Sequence, residues 1–502
     1  MARYQWQRNC RRCVAIGDWE RSALFAFIVI VGWSSSSGGV GFLLTHSEKQ
    51  IPPLSTSQPS DRALATDDPI IVATKALIAR SGRAPSDVAS LAQGVVHWQP
   101  PAAALEAAAR GAAAASSSSY GPARGLPELV DALGRRLTDF NGLPENAYEP
   151  MVTAGANQAF ANIVLACLDA SDAAVLFAPY YFNHLMMLTA SGIPRKNVLV
   201  GPRSAETMLP DLDWLEETLF PSSGRGASGA SGEKRGGAPK PKLVVLVNPC
   251  NPTGVVLPRP LLQRASDLCA KAGTWLVVDN TYDHFVYGGA EHEMPLEAPH
   301  VLHVSSFSKA YGMAGWRVGW LASHRDSGLG PSLLKVQDTV PICAPQLSQR
   351  VALAALEGPG AGAAWVAARV RGLEGNRAAV KAALAPLDAL AAAEEGGGGG
   401  GSSGALGAAR GAIYLWSRLP ASLLRGGARG GGPTDAAVVG WLVRRHGVCL
   451  VPGSACGAPG RVRAAFANLE PEACERAAGR LASGVEELLE HARKGEGGEL
   501  PL

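Results

Sequence analysis

The sequence predicts an α/β fold, with a large domain built on a mostly parallel sheet between helices and a smaller α+β domain. Three observations predict it. Short apolar runs bounded by Gly, Pro or Asn alternate with segments of helical periodicity. Hydrophobic residues make up 47% of the 502 and charged residues 18%, enough apolar material for a large core. From residue 345 onward the pattern changes to helices with a few isolated strand-like runs.

The elements follow in order. Residues 1–60 read as an extension, either dispensable or serving targeting or tethering. Five arginines precede an apolar run over 23–33 that Ser34 to Ser37 interrupt. That run is shorter than the ~20 apolar residues a spanning helix needs. A membrane role would rest on residues 22–44 alone. Residues 70–80 carry helical spacing. Strand-like runs follow at 173–178, 197–200, 243–248, 275–279, 300–304 and 319–322, with helix-like segments at 157–168 and 259–272. The tail adds strand-like runs at 411–416 and 448–451. On this pattern residues 108–344 form the large domain, and 67–107 with 345–492 the small one. Residues 221–242, 394–407 and 424–433 are rich in Gly and Ser. They bury too little apolar surface to offset their ordering entropy, so they read as solvated inserts.

Composition narrows the function. A formal net charge of +3 is too small for a nucleic-acid-binding protein. Nine Cys in 502 residues are too sparse for a disulfide scaffold. Cys10 and Cys13 form one C-x-x-C with no second pair, so no metal site is expected.

The stretch from Ser305 to Gly319 carries chemistry. Lys309 follows a predicted strand in a turn of small polar residues. A lysine amine there suits a Schiff-base nucleophile, because its pKa falls on burial or near other cations. Arg317, eight residues on, offers a planar fork for a phosphate, and Ser306 a hydroxyl. Ser-x-x-Lys alone matches many exposed lysines by chance.

Four stretches in order resemble the class I/II aminotransferases, the fold-type I pyridoxal phosphate enzymes. They are Asn248-Pro249-Cys250-Asn251-Pro252-Thr253-Gly254, Asp279-Asn280-Thr281-Tyr282, Lys309 with Arg317 and Gly319, and Gly460-Arg461-Val462-Arg463 before Phe466-Ala467. The resemblance covers roughly residues 67–490. It implies pyridoxal 5′-phosphate on Lys309, with Asp279 holding the pyridine nitrogen protonated. Tyr282 and Asn251 would donate to its phenolic oxygen, Tyr181 would stack on its ring, and Ala156, Asn157, Ser306 and Arg317 would cradle its phosphate at a helix start. Asn251 also suits turn chemistry, and its bond to Pro252 is a candidate cis peptide. Arg463 and Gly94 would hold the substrate α-carboxylate. Tyr120 would reach the phosphate across a homodimer interface. The lysine amine, freed by an amino acid, would act as general base in a ping-pong transamination.

The run from Leu91 to Pro101, with Asp279-Asn280 where most members carry Asp-Glu, is similar to a plant and algal branch. That branch acts on methionine, tryptophan, phenylalanine or tyrosine with aromatic 2-oxo acids. Trp98 would line an apolar side-chain pocket, although such pockets discriminate weakly. A carbon–sulfur lyase or a cyclopropane-carboxylate synthase-like enzyme would share Lys309, Asp279 and Arg317. A non-catalytic pyridoxal-phosphate-binding regulator is the alternative of another class. The resemblance implies a cytoplasmic enzyme, with organelle targeting or tethering through residues 1–60 as the alternative.

Overall fold

A computed structural model of the chain describes residues 58–221, 239–294, 297–395, 405–424 and 434–494. Nearly all of the 1–60 extension, the apolar segment 22–44, Cys10, Cys13 and most of each Gly-rich insert lie outside these residues. Among the described residues no single helix is long and apolar enough to cross a membrane, and no cluster of His, Cys, Asp or Glu could hold a metal ion.

Twelve strands form three sheets among the described residues. In chain order they are β1 (Ala89–Ser90), β2 (Tyr148–Thr153), β3 (Ala173–Phe177), β4 (Val198–Gly201), β5 (Pro241–Val247), β6 (Trp275–Asp279), β7 (Val301–Ser306), β8 (Gly319–His324), β9 (Tyr414–Arg418), β10 (Val448–Cys449), β11 (Val451–Pro452) and β12 (Arg461–Ala465). The large sheet runs β2-β8-β7-β6-β5-β3-β4. Its pairs are parallel from β4 through β7, and β8 is antiparallel to both β7 and β2.

The continuous apolar runs of β5 and β6 follow from burial on both faces. Leu243, Val245 and Val277 enter one core, against Phe160 and Ile163 of the helix Ala156–Cys167. Val244, Leu246 and Val278 enter the other, against Leu262 and Leu268 of the helix Arg259–Ala272. Each face therefore carries its own helix layer.

Strand register places the chemistry. Val247 pairs with Asp279, and Ser306 and Thr153 both pair with Gly319. The last residues of β2, β5, β6 and β7 and the first of β8 thus share one edge. Ligands in open α/β sheets bind at this edge, outside the carboxyl ends of the parallel strands.

The smaller assembly holds β9, β12 and β11 in antiparallel order, with the helices Glu374–Glu394 and Pro471–Lys494 nearby. Strand β1 pairs in parallel with β10, so the early chain and the C-terminal part share a sheet.

Some expectations need correction. Strand β2 was not anticipated, because Glu149 and Pro150 interrupt its apolar pattern. As an edge strand it tolerates a proline. The insert 221–242 ends earlier than expected, since β5 begins at Pro241, and the end of 394–407 enters the helix Ala405–Ala408. Residues 448–451 divide into two short strands in different sheets.

Candidate active site

The cavity at the strand ends has a volume of about 130 Å³. Its walls include Ala156, Asn157, Tyr181, Asn251, Asp279, Tyr282, Ser306, Lys309 and Arg317, all named above from sequence, together with Val247, Thr281 and Ser308.

One end is an anion cradle. Gly155, at φ +88°, precedes the helix Ala156–Cys167, whose first two residues line the cavity. A Cβ on Gly155 would lie 2.5 Å from the Arg317 guanidinium, and one on Gly319 would lie 2.8 Å from the Ala156 nitrogen. Close backbone approach therefore requires Gly319, and its left-handed φ requires Gly155. Arg317 itself has φ +51°, a conformation uncommon for a side chain of its size. Its guanidinium donates to the Ala314 and Ala154 carbonyls and keeps its charge at the cradle. Ser306 Oγ donates to Ser308 Oγ and accepts the Ser308 N–H.

Asp279 occupies the end of β6 and is 4% exposed. Its Oδ1 accepts from the Thr281 N–H at 3.0 Å and the Thr281 hydroxyl at 2.6 Å. Its Oδ2 lies 3.1 Å from Nε2 of buried His184. Phe160 and Tyr181 pack on the His184 ring. A buried carboxylate oriented this firmly can hold a cationic N–H.

Lys309 Nζ donates to the Gly94 carbonyl. Burial lowers its amine to about 8, assisted by the charges of Arg463 and Arg317 and opposed by Asp279. An amine this readily neutral can serve as nucleophile and base near physiological pH.

Asn251 sits between two cis peptide bonds, Asn248–Pro249 before it and its own bond to Pro252 after it. Its Oδ1 accepts from Arg463 Nη1 at 2.9 Å, which leaves its amide N–H groups for the cavity. Arg463 is 1% exposed, and its Nη2 donates to the Ala92 carbonyl. Its Nε is buried without a partner among the described residues. Tyr282 places its hydroxyl 2.7 Å from that of Tyr414. Burial raises both phenols, so both remain protonated donors.

Trp98 lies outside the lining of this cavity, and Tyr120, expected to serve a partner's site, lies at the surface. The Trp98 indole is buried, donates to the Ala310 carbonyl and stacks on Phe285, so it supports the lysine loop from behind. Tyr120 is 82% exposed and borders a separate groove with Pro341, Cys343 and Gln346.

Sequence reasoning did not assign roles to His184, Thr281, Ser308 or Tyr414. His184 and Tyr414 come from distant elements and carry no local signal. The turn after Asp279 also continues into a buried ion pair that was not anticipated. Asp283 lies 2.7 Å from Arg136. Burial alone would raise this carboxyl, and the guanidinium overrides it and holds it down to about 2.

Residues 86–481 match the family described as aminotransferase class I and II. The chain is 44% identical over 433 residues to the aromatic aminotransferase ISS1 of Arabidopsis thaliana, spanning 86% of this chain and 97% of that protein. A solved single mutant of Thermus thermophilus aspartate aminotransferase superposes with a TM-score of 0.69 at 26% identity, over 85% of this chain and 100% of that one. A tetra mutant of the same enzyme complexed with tryptophan also gives a TM-score of 0.69, at 25% identity and the same coverage. With a lysine, a buried carboxylate and an anion cradle at the carboxyl ends of a fold-type I sheet, the chain belongs to the class I and II aminotransferases.

Proposed function

We propose that this aminotransferase moves the amino group between an apolar or aromatic L-amino acid (Met, Trp, Phe or Tyr) and an aromatic 2-oxo acid, using pyridoxal 5′-phosphate in a homodimer. The observation that carries the reading is that Lys309, Asp279 and the anion cradle face one cavity.

The donor set fits that cofactor. A phosphate needs N–H groups, hydroxyls and a cation, which the helix start, Ser306, Ser308 and Arg317 supply. A pyridinium needs a buried carboxylate, which is Asp279. A phenolic oxygen needs donors, which are Tyr282 and Asn251. The orphaned Nε of Arg463 and its neighbouring fork suit a carboxylate from the amino acid.

When bound, the cofactor supplies an electron sink for the carbanion left at Cα. The chain does the rest. Arg463 fixes the α-carboxylate and so orients the Cα–H bond. Lys309 Nζ, once neutral, would take the proton from Cα. Asp279 would hold the ring nitrogen protonated. Tyr282 and Asn251 would donate to the phenolic oxygen.

Two observations support an apolar or aromatic substrate. The Arabidopsis relative is an aromatic aminotransferase. A related fold accommodates tryptophan in the Thermus variant. Exposed Tyr120, Val340 and Ile342 mark apolar surface that a second copy would cover.

Purified protein is to be incubated with tryptophan, methionine, phenylalanine or tyrosine against a panel of 2-oxo acids. The reading predicts stoichiometric consumption of an aromatic 2-oxo acid and parallel double-reciprocal plots. Product release without an acceptor, as a lyase would give, contradicts it.

A further inference from the structure

Tyr414 is buried at the start of β9, opposite Ala465 of β12. It touches three parts of the site at once. Its hydroxyl lies 2.7 Å from that of Tyr282. Its ring face carries the Arg463 guanidinium 4.3 Å from the centroid. The same hydroxyl fills the space beside Gly94, where a Cβ would sit 1.9 Å from it. Gly94 in turn accepts the Lys309 amine. Each alternative residue at position 94 would therefore push on Tyr414, and through it on Tyr282 and Arg463.

We propose that Tyr414 is a positioning residue for transamination, whose hydroxyl donates to Tyr282 and whose ring seats Arg463. The inference rests on the reading of the site given above. A phenol has one proton to donate. If Tyr282 spends its proton on the phenolic oxygen of the cofactor, the 2.7 Å contact requires Tyr414 to donate to Tyr282. Donation into Tyr282 polarises its O–H and strengthens its own donation, as in any hydrogen-bonded chain of low dielectric. Arg463 over the ring makes Tyr414 the better donor of the two. The other groups that act on Tyr414 are Asp279, Cys456 and Tyr181, of which the first two oppose its ionisation. The ring contact is a cation–π pair in a desolvated position, which holds the guanidinium plane against Asn251 and Ala92.

The two roles separate by substitution. Tyr414→Phe removes the hydroxyl and keeps the ring. Tyr414→Leu removes both. The test is the pH titration of the visible absorbance of the bound cofactor in purified holoenzyme, with kcat and KM for the amino acid measured alongside. Tyr414→Phe is expected to move the absorbance midpoint upward by about half to one pH unit, because the negative phenolic oxygen loses part of its support. It is expected to lower kcat several-fold and leave KM within about two-fold. Tyr414→Leu is expected to move the midpoint similarly and to raise KM by about five- to ten-fold. A Tyr414→Phe midpoint equal to that of the wild type overturns the proposal, as does a KM for Tyr414→Phe raised as far as that of Tyr414→Leu. Wild-type protein without any such chromophore overturns the reading of the site itself, and this inference with it.

Discussion

Replacing Lys309 with Ala is expected to lower transamination by at least about 10⁴-fold, since it removes nucleophile and general base together. No neighbour can substitute. Arg317 and Arg463 carry guanidinium groups, which are poor nucleophiles and poor bases, and Tyr282 and Tyr414 are phenols that burial pushes upward. Lys309→Arg keeps the positive charge and is expected to fail to the same extent, which separates chemistry from electrostatics. Steady-state turnover with the best amino donor checks both variants.

The Lys309 environment also sets a pH dependence. A lysine in water remains protonated to about 10.4, whereas burial and the two arginines bring this one down to about 8. Only the neutral amine attacks an aldehyde. Its fraction is roughly a tenth at pH 7 and about half at pH 8. The rate at which cofactor-free protein captures added pyridoxal phosphate should therefore rise with pH up to about 8 and then level off. A rate that continues to climb tenfold per unit to pH 10 would mean the site leaves the amine unperturbed. Stopped-flow absorbance gives this profile directly.

Replacing Asp279 with Asn is expected to cost about 10²–10³-fold in kcat, with a much smaller change in KM for the amino acid. The substitution is isosteric. Thr281 can still donate twice to Oδ1, and the turn at the end of β6 keeps its shape. What disappears is the negative charge that keeps a ring nitrogen protonated. The loss therefore appears where charge builds up during reaction and hardly in substrate binding. His184, 3.1 Å from Oδ2, orients the carboxylate but cannot replace its charge. Single-turnover kinetics with saturating amino acid would isolate the step. An Asp279→Asn variant within about three-fold of wild-type kcat would contradict the assigned role.

Much of this architecture is legible in the chain because it is encoded locally. The runs 243–247 and 275–278 are apolar throughout, so they read as strands buried on both faces. The polar residues just beyond them then read as the strand ends where a site forms. Lys309, Ser306 and Arg317 sit within one loop, and their types alone suggest a charged anion site. The parts that escape are those that packing brings together. His184 reaches Asp279 from a helix 95 residues earlier in the chain, and Tyr414 reaches Tyr282 from a strand 132 residues later. No periodicity reports either contact. Trp98 shows a different limit. A tryptophan beside a site glycine suggests a substrate wall, yet its indole N–H finds a better partner in the buried Ala310 carbonyl. Strand β2 escapes because the residues that would disqualify an interior strand, Glu149 and Pro150, are tolerated at a sheet edge.

The central claim is covalent capture of the cofactor aldehyde by one amine. Treating the yellow holoenzyme with borohydride, digesting it and sequencing the labelled peptide tests it most directly. The account predicts a single pyridoxyl group on Lys309, within the peptide that contains Ser306 and Ser308. A pyridoxyl group on any other lysine, or protein that carries none, would contradict it.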